Sequence, residues 1–231
     1  MRVRIPPPPL TVLGVDWYKA GWVAVVLGRA VGPEVVVGTD LPALIDGVPE
    51  AACVGVDMPI GLPETTRESD QAARDFVGVR RNSVFMTPPR AVLDERTYED
   101  ANRRAAALLG GRKISQQAWA LRRNIAVVAA VADADDRLIE VHPEVSFCAM
   151  RNREPLAFAK TTWNGQAIRR AALAEQGIVL PDELDGPAGG VPVADVLDAA
   201  AAAWSARRHA RGESESLPPG RDRGPHGAIW Y

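Results

Sequence analysis

Short apolar runs separated by turn residues predict a β-meander followed by a crossover in the first quarter of the chain. Three such runs predict antiparallel strands over residues 11–16, 22–27 and 34–37. Asp40 can cap a short helix over residues 41–45, and a fourth strand is predicted over residues 53–57. Because a strand, helix, strand unit usually returns parallel and right-handed, we expect the fourth strand beside the first.

The pattern then changes to one typical of helices. Residues 64–136 are mostly helical in pattern, with helices predicted over residues 94–109 and 115–132, and we interpret this segment as an insertion. A fifth strand is predicted over residues 137–142, with Leu138, Glu140 and His142 on one face. Helices over residues 164–176 and 193–208 follow, and residues 228–231 predict a small edge strand.

The composition predicts one domain, residues 11–231, behind a flexible lead formed by residues 1–10. A hydrophobic content of 47% in 231 residues is enough for a substantial core. The two cysteines, Cys53 and Cys148, indicate neither a disulfide framework nor a zinc site. Neither a membrane span nor the apolar core of a signal peptide is visible, so we expect a cytoplasmic protein without membrane contact.

The charge of the chain limits its partners. A formal net charge of -2 argues against a protein that coats long nucleic acid, because such binding neutralises many phosphates with Lys and Arg. A local basic groove remains compatible with this charge, since several Arg and Lys pairs fall in the middle third of the chain. The sequence leaves the oligomeric state open, a homodimer included.

Two acidic residues are predicted at one edge of the sheet. Asp16 and Asp57 each end a predicted strand, and ligands of open α/β sheets bind beyond the carboxyl ends of parallel strands. Each aspartate alone could simply cap the turn after its strand. Their shared position favours a common site.

Further acids could join this pair. Asp195 and Asp198 are three residues apart on the last long helix and share one face, on which Ala199 and Ala202 are small enough to pack against a sheet. Glu140 lies in an apolar strand, where it needs a partner; an ion pair with an arginine is the alternative to a role in the site. We therefore predict catalytic roles for Asp16, Asp57, Glu140, Asp195 and Asp198.

Metal binding follows from the same residues. Hard carboxylate oxygens suit Mg²⁺ or Mn²⁺, and we predict Asp16, Asp57, Glu140 and Asp198 as the ligands. Two such ions about 4 Å apart can promote hydrolysis of a phosphodiester. His142 and Glu144 follow Glu140 directly and are expected to support the ligands.

Substrate contacts are predicted in four places outside the acids. The segment around Arg80, Arg81 and Asn82 combines arginines, small donors and Phe85, a composition able to bind phosphates and stack on a base. An ordinary solvated loop is the alternative. The remaining predicted contacts are Lys19, Gln116 and Lys160. Arg169 could reach the same rim or belong to an exposed helix face.

Six motifs in order resemble the predicted ribonuclease-H-like nucleases grouped as domain of unknown function 429. They are Gly14-Val15-Asp16-Trp17, Val54-Gly55-Val56-Asp57-Met58-Pro59, Arg80-Arg81-Asn82-Ser83, Lys113-Ile114-Ser115-Gln116-Gln117, Ile139-Glu140-Val141-His142-Pro143-Glu144 and Asp195-Val196-Leu197-Asp198. The resemblance implies an α/β ribonuclease-H-like fold with a mixed sheet in the order 3-2-1-4-5, strand 2 antiparallel, and helices on both faces. It also implies a nuclease that acts on nucleic acid.

The resemblance extends to Holliday-junction resolvases, in which acids on the first strand, the fourth strand and the last helix match Asp16, Asp57, Asp195 and Asp198 in type and order. Ribonuclease H differs, because its helix between the third and fourth strands carries a glutamate that residues 41–46 lack. Alternatives from other classes are a small phosphate ester as substrate, a non-catalytic module that binds nucleic acid or protein, and a nucleotide-binding phosphotransferase of the actin-like ATPase type.

Overall fold

A mixed five-stranded sheet forms the centre of the computed structural model, which describes residues 10–29, 31–221 and 227–231. Its strands are β1 (Val12–Tyr18), β2 (Gly21–Leu27), β3 (Glu34–Gly38), β4 (Val54–Val56) and β5 (Leu138–Glu140). The predicted lead, residues 1–10, lies outside the described residues except for Leu10. The division into a lead and one domain stays a prediction.

The order of the strands is β3-β2-β1-β4-β5. The second strand is antiparallel to both of its neighbours, whereas β4 runs parallel to β1 and to β5. This confirms the predicted meander, the predicted position of the fourth strand beside the first, and the sheet order that the family resemblance implied.

Helices surround the sheet. They are α1 (Leu41–Asp46), α2 (Glu68–Phe76), α3 (Arg90–Leu93), α4 (Tyr98–Leu108), α5 (Gln116–Ala120), α6 (Arg122–Ala132), α7 (Pro143–Met150), α8 (Trp163–Glu175) and α9 (Val193–Arg211). Short 3₁₀ segments cover Gly78–Ser83 and Gly186–Gly190. A two-stranded sheet pairs β6 (Ser216–Leu217) with β7 (Ile229–Trp230), so the predicted edge strand at residues 228–231 lies outside the main sheet.

Several predicted bounds differ from the structure for local reasons. The helix predicted from residue 94 begins at Tyr98, because the Thr97 side chain caps it by accepting from the Asp100 amide. The helix predicted over residues 115–132 divides into α5 and α6 around Leu121. The fifth strand ends at Glu140, and His142 becomes the residue that precedes α7. That helix escaped prediction because its residues are buried almost all round, which leaves no amphipathic period.

The core occupies both faces of the sheet, as the two-residue period of a strand requires. Val12 belongs to a cluster that includes side chains of α7, α8 and α9. Leu13, its neighbour in β1, belongs to a second cluster with α1 and α6 on the opposite face. A smaller apolar cluster lies inside the insertion and contains Val92, Ala101, Ala105 and Ile114.

Two glycines allow α9 to lie directly against the backbone of the sheet. A Cβ atom on Gly14 of β1 would overlap the backbone of α9 at Ala199 and Ala203. A Cβ atom on Gly55 of β4 would lie 2.5 Å from the carbonyl oxygen of Ala202. The five alanines of residues 199–203 are fully buried there, which agrees with the predicted small-residue face. The position of α9 therefore depends on the absence of side chains at both contacts.

Candidate metal centre

Three aspartates converge where α9 crosses the carboxyl ends of β1 and β4. Asp16 lies near the end of β1, and Asp57 follows β4 directly. The Asp57 amide donates to the carbonyl of Val15 at 2.9 Å, so the parallel pairing holds these two residues side by side. Asp198 belongs to the early part of α9. One carboxylate oxygen from each aspartate lies within 4.8 Å of the other two, and we call Asp16, Asp57 and Asp198 the carboxylate cluster.

Burial and mutual repulsion make ionisation of the cluster unfavourable. Asp16 is 6% exposed and Asp198 is 3% exposed. Burial raises the pKa of Asp16 well above its usual value, and the charges of Asp57 and Asp198 raise it further. Burial, followed by the charge of Asp198, raises the pKa of Asp57 to about 8. Burial also raises the pKa of Asp198.

Lys160 is the cation that partly compensates these charges. Its ammonium group contacts a carboxylate oxygen of Asp198 directly. Burial opposes the charge on Lys160, but Asp198 and Asp16 outweigh that effect, so that its pKa is raised. One ammonium against three carboxylates leaves the cluster with an excess of negative charge whenever all three are ionised.

The donor set of the cluster fits a divalent cation. Three carboxylates on different elements offer oxygen ligands within a short distance of one another, and a hard cation would relieve their repulsion. Within residues 10–29, 31–221 and 227–231, no second group of three ligand-type side chains converges in this way. The second ion expected from the sequence stays a prediction.

Glu140 and Asp195 lie near the cluster without joining it. Glu140 is buried, and its carboxylate accepts from the Ile60 amide at 2.7 Å and from the Arg67 guanidinium at 2.6 Å. It therefore makes the arginine ion pair that the sequence left open as an alternative to metal binding. Asp195 is half-buried, burial raises its pKa, and it faces the same cavity as the cluster.

Arg67 is a residue of this region that the sequence did not reveal. The guanidinium bridges Glu140 and Asp70, and it also donates to the carbonyl of Ile60 at 2.9 Å. Asp70 in turn accepts from the Thr87 amide at 2.6 Å. The three-residue spacing of Arg67 and Asp70 was the available signal. This network holds the segment after Asp57 against β5.

The cavity beside the cluster has a volume of about 480 Å³. Only some of the residues predicted to contact the substrate line its walls. Arg80 and Lys160 line it. Among the described residues that form its walls, Gln117 is present instead of the predicted Gln116. The remaining predicted contacts are exposed and lie outside these walls: Lys19, Arg81 and Asn82.

The residues that follow Glu140 also reach the cavity. His142 lines it, and burial lowers the pKa of its imidazole, which favours the neutral ring. Glu144 is buried and ion-paired with Arg169. Arg169 is fully buried, so the interpretation of this residue as part of an exposed helix face was wrong. The period of α8 did not reveal this, because Arg170 beside it is exposed as expected.

The family of the chain emerges from comparison with known proteins. A family model described as "Protein of unknown function (DUF429)" matches residues 14–223. No curated protein and no solved structure gives a significant match. In the part of the chain that the structure describes, no helix combines the length and the apolar character needed to cross a membrane.

Proposed function

Since the chain belongs to the DUF429 family, whose description assigns no reaction, we propose from its own site that it is a metal-dependent nuclease that hydrolyses phosphodiester bonds. The observation that carries the proposal is the buried carboxylate cluster at the wall of a cavity. Mg²⁺ or Mn²⁺ is the proposed cation, because an all-carboxylate donor set suits a hard ion.

The proposed chemistry divides between the cation and the side chains around it. A divalent cation held by the carboxylate cluster supplies Lewis-acid stabilisation of the charge that develops on a phosphodiester. Lys160, which reaches both the cluster and the cavity, can donate to a non-bridging phosphate oxygen. Arg80 lines the same cavity and adds a second donor. Asp195 has a raised pKa and a cavity position, which suit a carboxylate oxygen that accepts a proton.

The charge pattern of the insertion supports nucleic acid as the substrate. Residues 101–132 carry six basic residues and no acidic residue, although the whole chain has a net charge of -2. Four of these cations flank α5, and we call them the flank cations: Arg112, Lys113, Arg122 and Arg123. The helix between them contributes Gln117 and Ala120 to the cavity wall. The cations therefore lie on both sides of a segment that borders the site.

The flank cations differ from two arginines at the far side of the sheet in their partners. As far as the structure describes the chain, no acidic side chain lies within ion-pair distance of any of the four. By contrast, Arg29 pairs with Glu34 and Arg137 pairs with Asp135. Arg29 lies near the amino-terminal end of β1, and Arg137 precedes β5 directly. Both arginines therefore lie at the ends of the strands opposite the cavity, and we call them the opposite-edge pair. Cations without acidic partners are available to phosphates.

Cleavage assays test the proposal. A panel of single-stranded, duplex, hybrid and junction nucleic acids is incubated with Mn²⁺ or Mg²⁺ and wild-type protein. We expect cation-dependent cleavage of at least one member and its loss in the combined Asp16→Asn, Asp57→Asn variant. The matched control is Asp75→Asn with Asp182→Asn, which removes two exposed carboxylates and should cleave as wild type does.

Two outcomes would overturn the proposal. One is the absence of cleavage of every panel member by folded wild-type protein that binds Mn²⁺, which would favour a small phosphate ester or a binding module. The other is cleavage that persists in the Asp16→Asn, Asp57→Asn variant, which would point to a contaminating nuclease. Tight ATP binding or ATP hydrolysis would favour the phosphotransferase alternative.

A further inference from the structure

The two most exposed aromatic side chains lie five residues apart beside the cavity, one in the loop that precedes α8 and the other at the first residue of α8. Phe158 is 43% exposed and Trp163 is 85% exposed. Every other aromatic side chain among the described residues is at least partly buried. The residues between them include Ala159, Lys160 and Thr161, all of which line the cavity. We call residues 158–163 the aromatic loop.

The aromatic loop is fixed by contacts from α8. The buried guanidinium of Arg169 donates to the carbonyl of Phe158 at 3.2 Å. Thr162 caps the helix by accepting from the Gly165 amide at 3.1 Å, and its hydroxyl donates to the carbonyl of Ala159 at 2.9 Å. A Cβ atom on Gly165 would overlap that same carbonyl. The exposed rings are therefore attached to a segment whose backbone is held in place.

Such a position suits a partner that covers the rings. An exposed tryptophan keeps a large apolar surface in water, and aromatic residues are enriched where a ligand or a partner covers them. The nearest charged group along the chain is the ammonium of Lys160, which contacts the carboxylate cluster. A ligand that combines phosphate with flat apolar surfaces matches a loop that carries a cation between two rings.

We propose that Phe158 and Trp163 form a stacking platform for unpaired bases of a nucleic-acid strand whose phosphodiester enters the cavity. The proposal rests on the proposed function and narrows its substrate to single-stranded nucleic acid or to the single-stranded part of a larger molecule. Bases inside a duplex already cover one another, so that only unpaired bases present a free face to the rings. Stacking of this kind tolerates different base sequences, because every base has a π-face.

Binding of labelled oligonucleotides tests the platform. Full-length protein is titrated in Ca²⁺ with a single strand of about 16 nucleotides, the upper end of known single-strand site sizes, and with the corresponding duplex. We expect Trp163→Ala and Trp163→Leu to weaken single-strand binding about 5- to 150-fold for each stacked base lost. Trp163→Phe should retain most of the affinity, because it keeps a ring. Val179→Ala, another exposed apolar position, is the matched control and should bind as wild type does.

Four results would overturn the platform. They are unchanged single-strand binding by Trp163→Ala, equal affinities of the Leu and Phe variants, equal weakening for single strand and duplex, and a change in oligomeric state on sedimentation of Trp163→Ala. The last result would identify the rings as a protein interface. Cleavage of bis(p-nitrophenyl) phosphate in Mn²⁺ separates this proposal from the proposed function. The control Val179→Ala should leave that activity unchanged, whereas failure of wild type to cleave any substrate would count against the nuclease and not against the platform.

Discussion

Replacing Asp57 by asparagine should make the protein more stable in the absence of divalent cations and should remove its response to them. Burial and the charge of Asp198 raise the pKa of Asp57 from 3.8 to about 8. An acid whose pKa is higher in the folded state contributes stability that is complete below pH 3.8 and is lost as the pH rises through about 8. Wild-type stability should therefore fall between these two pH values.

The size of the effect follows from the same pKa. One pKa unit corresponds to about 1.4 kcal/mol, so full ionisation of Asp57 in the folded protein costs about 6 kcal/mol. Asparagine has the same shape and no charge, but it loses the carboxylate's contacts. We therefore expect the Asp57→Asn variant to gain about 1–4 kcal/mol of unfolding free energy at about pH 8, comparable with the gain when a buried ion pair is replaced by hydrophobic residues. The gain should shrink at about pH 5, where the wild-type carboxyl is largely protonated when folded.

Thermal unfolding in EDTA and in Mn²⁺ measures both effects. The gain corresponds to a rise in Tm of about 2–16 °C, since 1 kcal/mol shifts the Tm of a chain of this size by about 2–4 °C. At a Mn²⁺ concentration of about 100 times Kd, wild type should gain about 2.7 kcal/mol and the variant much less. Asp182→Asn, which removes a fully exposed charge, is the matched control and should change neither value. A variant no more stable than wild type in EDTA at about pH 8, or one that gains as much from Mn²⁺, would refute the argument.

Three further predictions test the surroundings of the cluster. Gly55→Ala should lower stability by about 1–3 kcal/mol and weaken the stabilisation by Mn²⁺, because the added methyl group displaces α9; an unchanged Tm shift in Mn²⁺ would contradict this. Glu140→Gln should lower the free energy of unfolding by about 3–5 kcal/mol, because buried Arg67 loses a charged partner. The rise in Tm that Mn²⁺ produces should persist in this variant, and loss of that rise would identify Glu140 as a metal ligand. Replacing Arg112 and Lys113 by glutamine should reduce the slope of log Kd against log salt concentration by about 1.4 for single-stranded nucleic acid. The same replacement of the opposite-edge pair should leave the slope unaltered. Equal slopes in the two variants would exclude a specific role for the flank cations.

The strands and the sheet order were predictable because they depend on local patterns and on a general rule of handedness. The apolar runs that became β1, β2 and β4 are short and bounded by turn residues, and a parallel crossover then places β4 beside β1. The same rule brought Asp16 and Asp57 together. The packing of α9 against the sheet was predictable from the small residues on one face of that helix. The glycines in the strands that form the other side of this contact were not identified from the sequence.

The partners of the remaining acids could not be predicted. Glu140 pairs with Arg67, a residue more than 70 positions earlier, and no local pattern encodes such a distance. Arg169 shows the same limit, because a single buried arginine beside an exposed one does not change the polar pattern of α8. Exposure is equally invisible in a sequence, and the aromatic loop was recognised only once the surroundings of Phe158 and Trp163 were known.

The packing of α9 against Gly14 and Gly55 has a consequence for the order in which the protein acquires its site during synthesis. A ribosome delivers Asp16 and Asp57 early, but Asp198 emerges only after most of the chain has been translated. A nascent chain therefore has at most two of the three carboxylates of the cluster, however well its first strands have folded. The carboxylate cluster is completed only when α9 leaves the ribosome and settles on the two glycines, so that an unfinished chain lacks the complete set of candidate cation ligands.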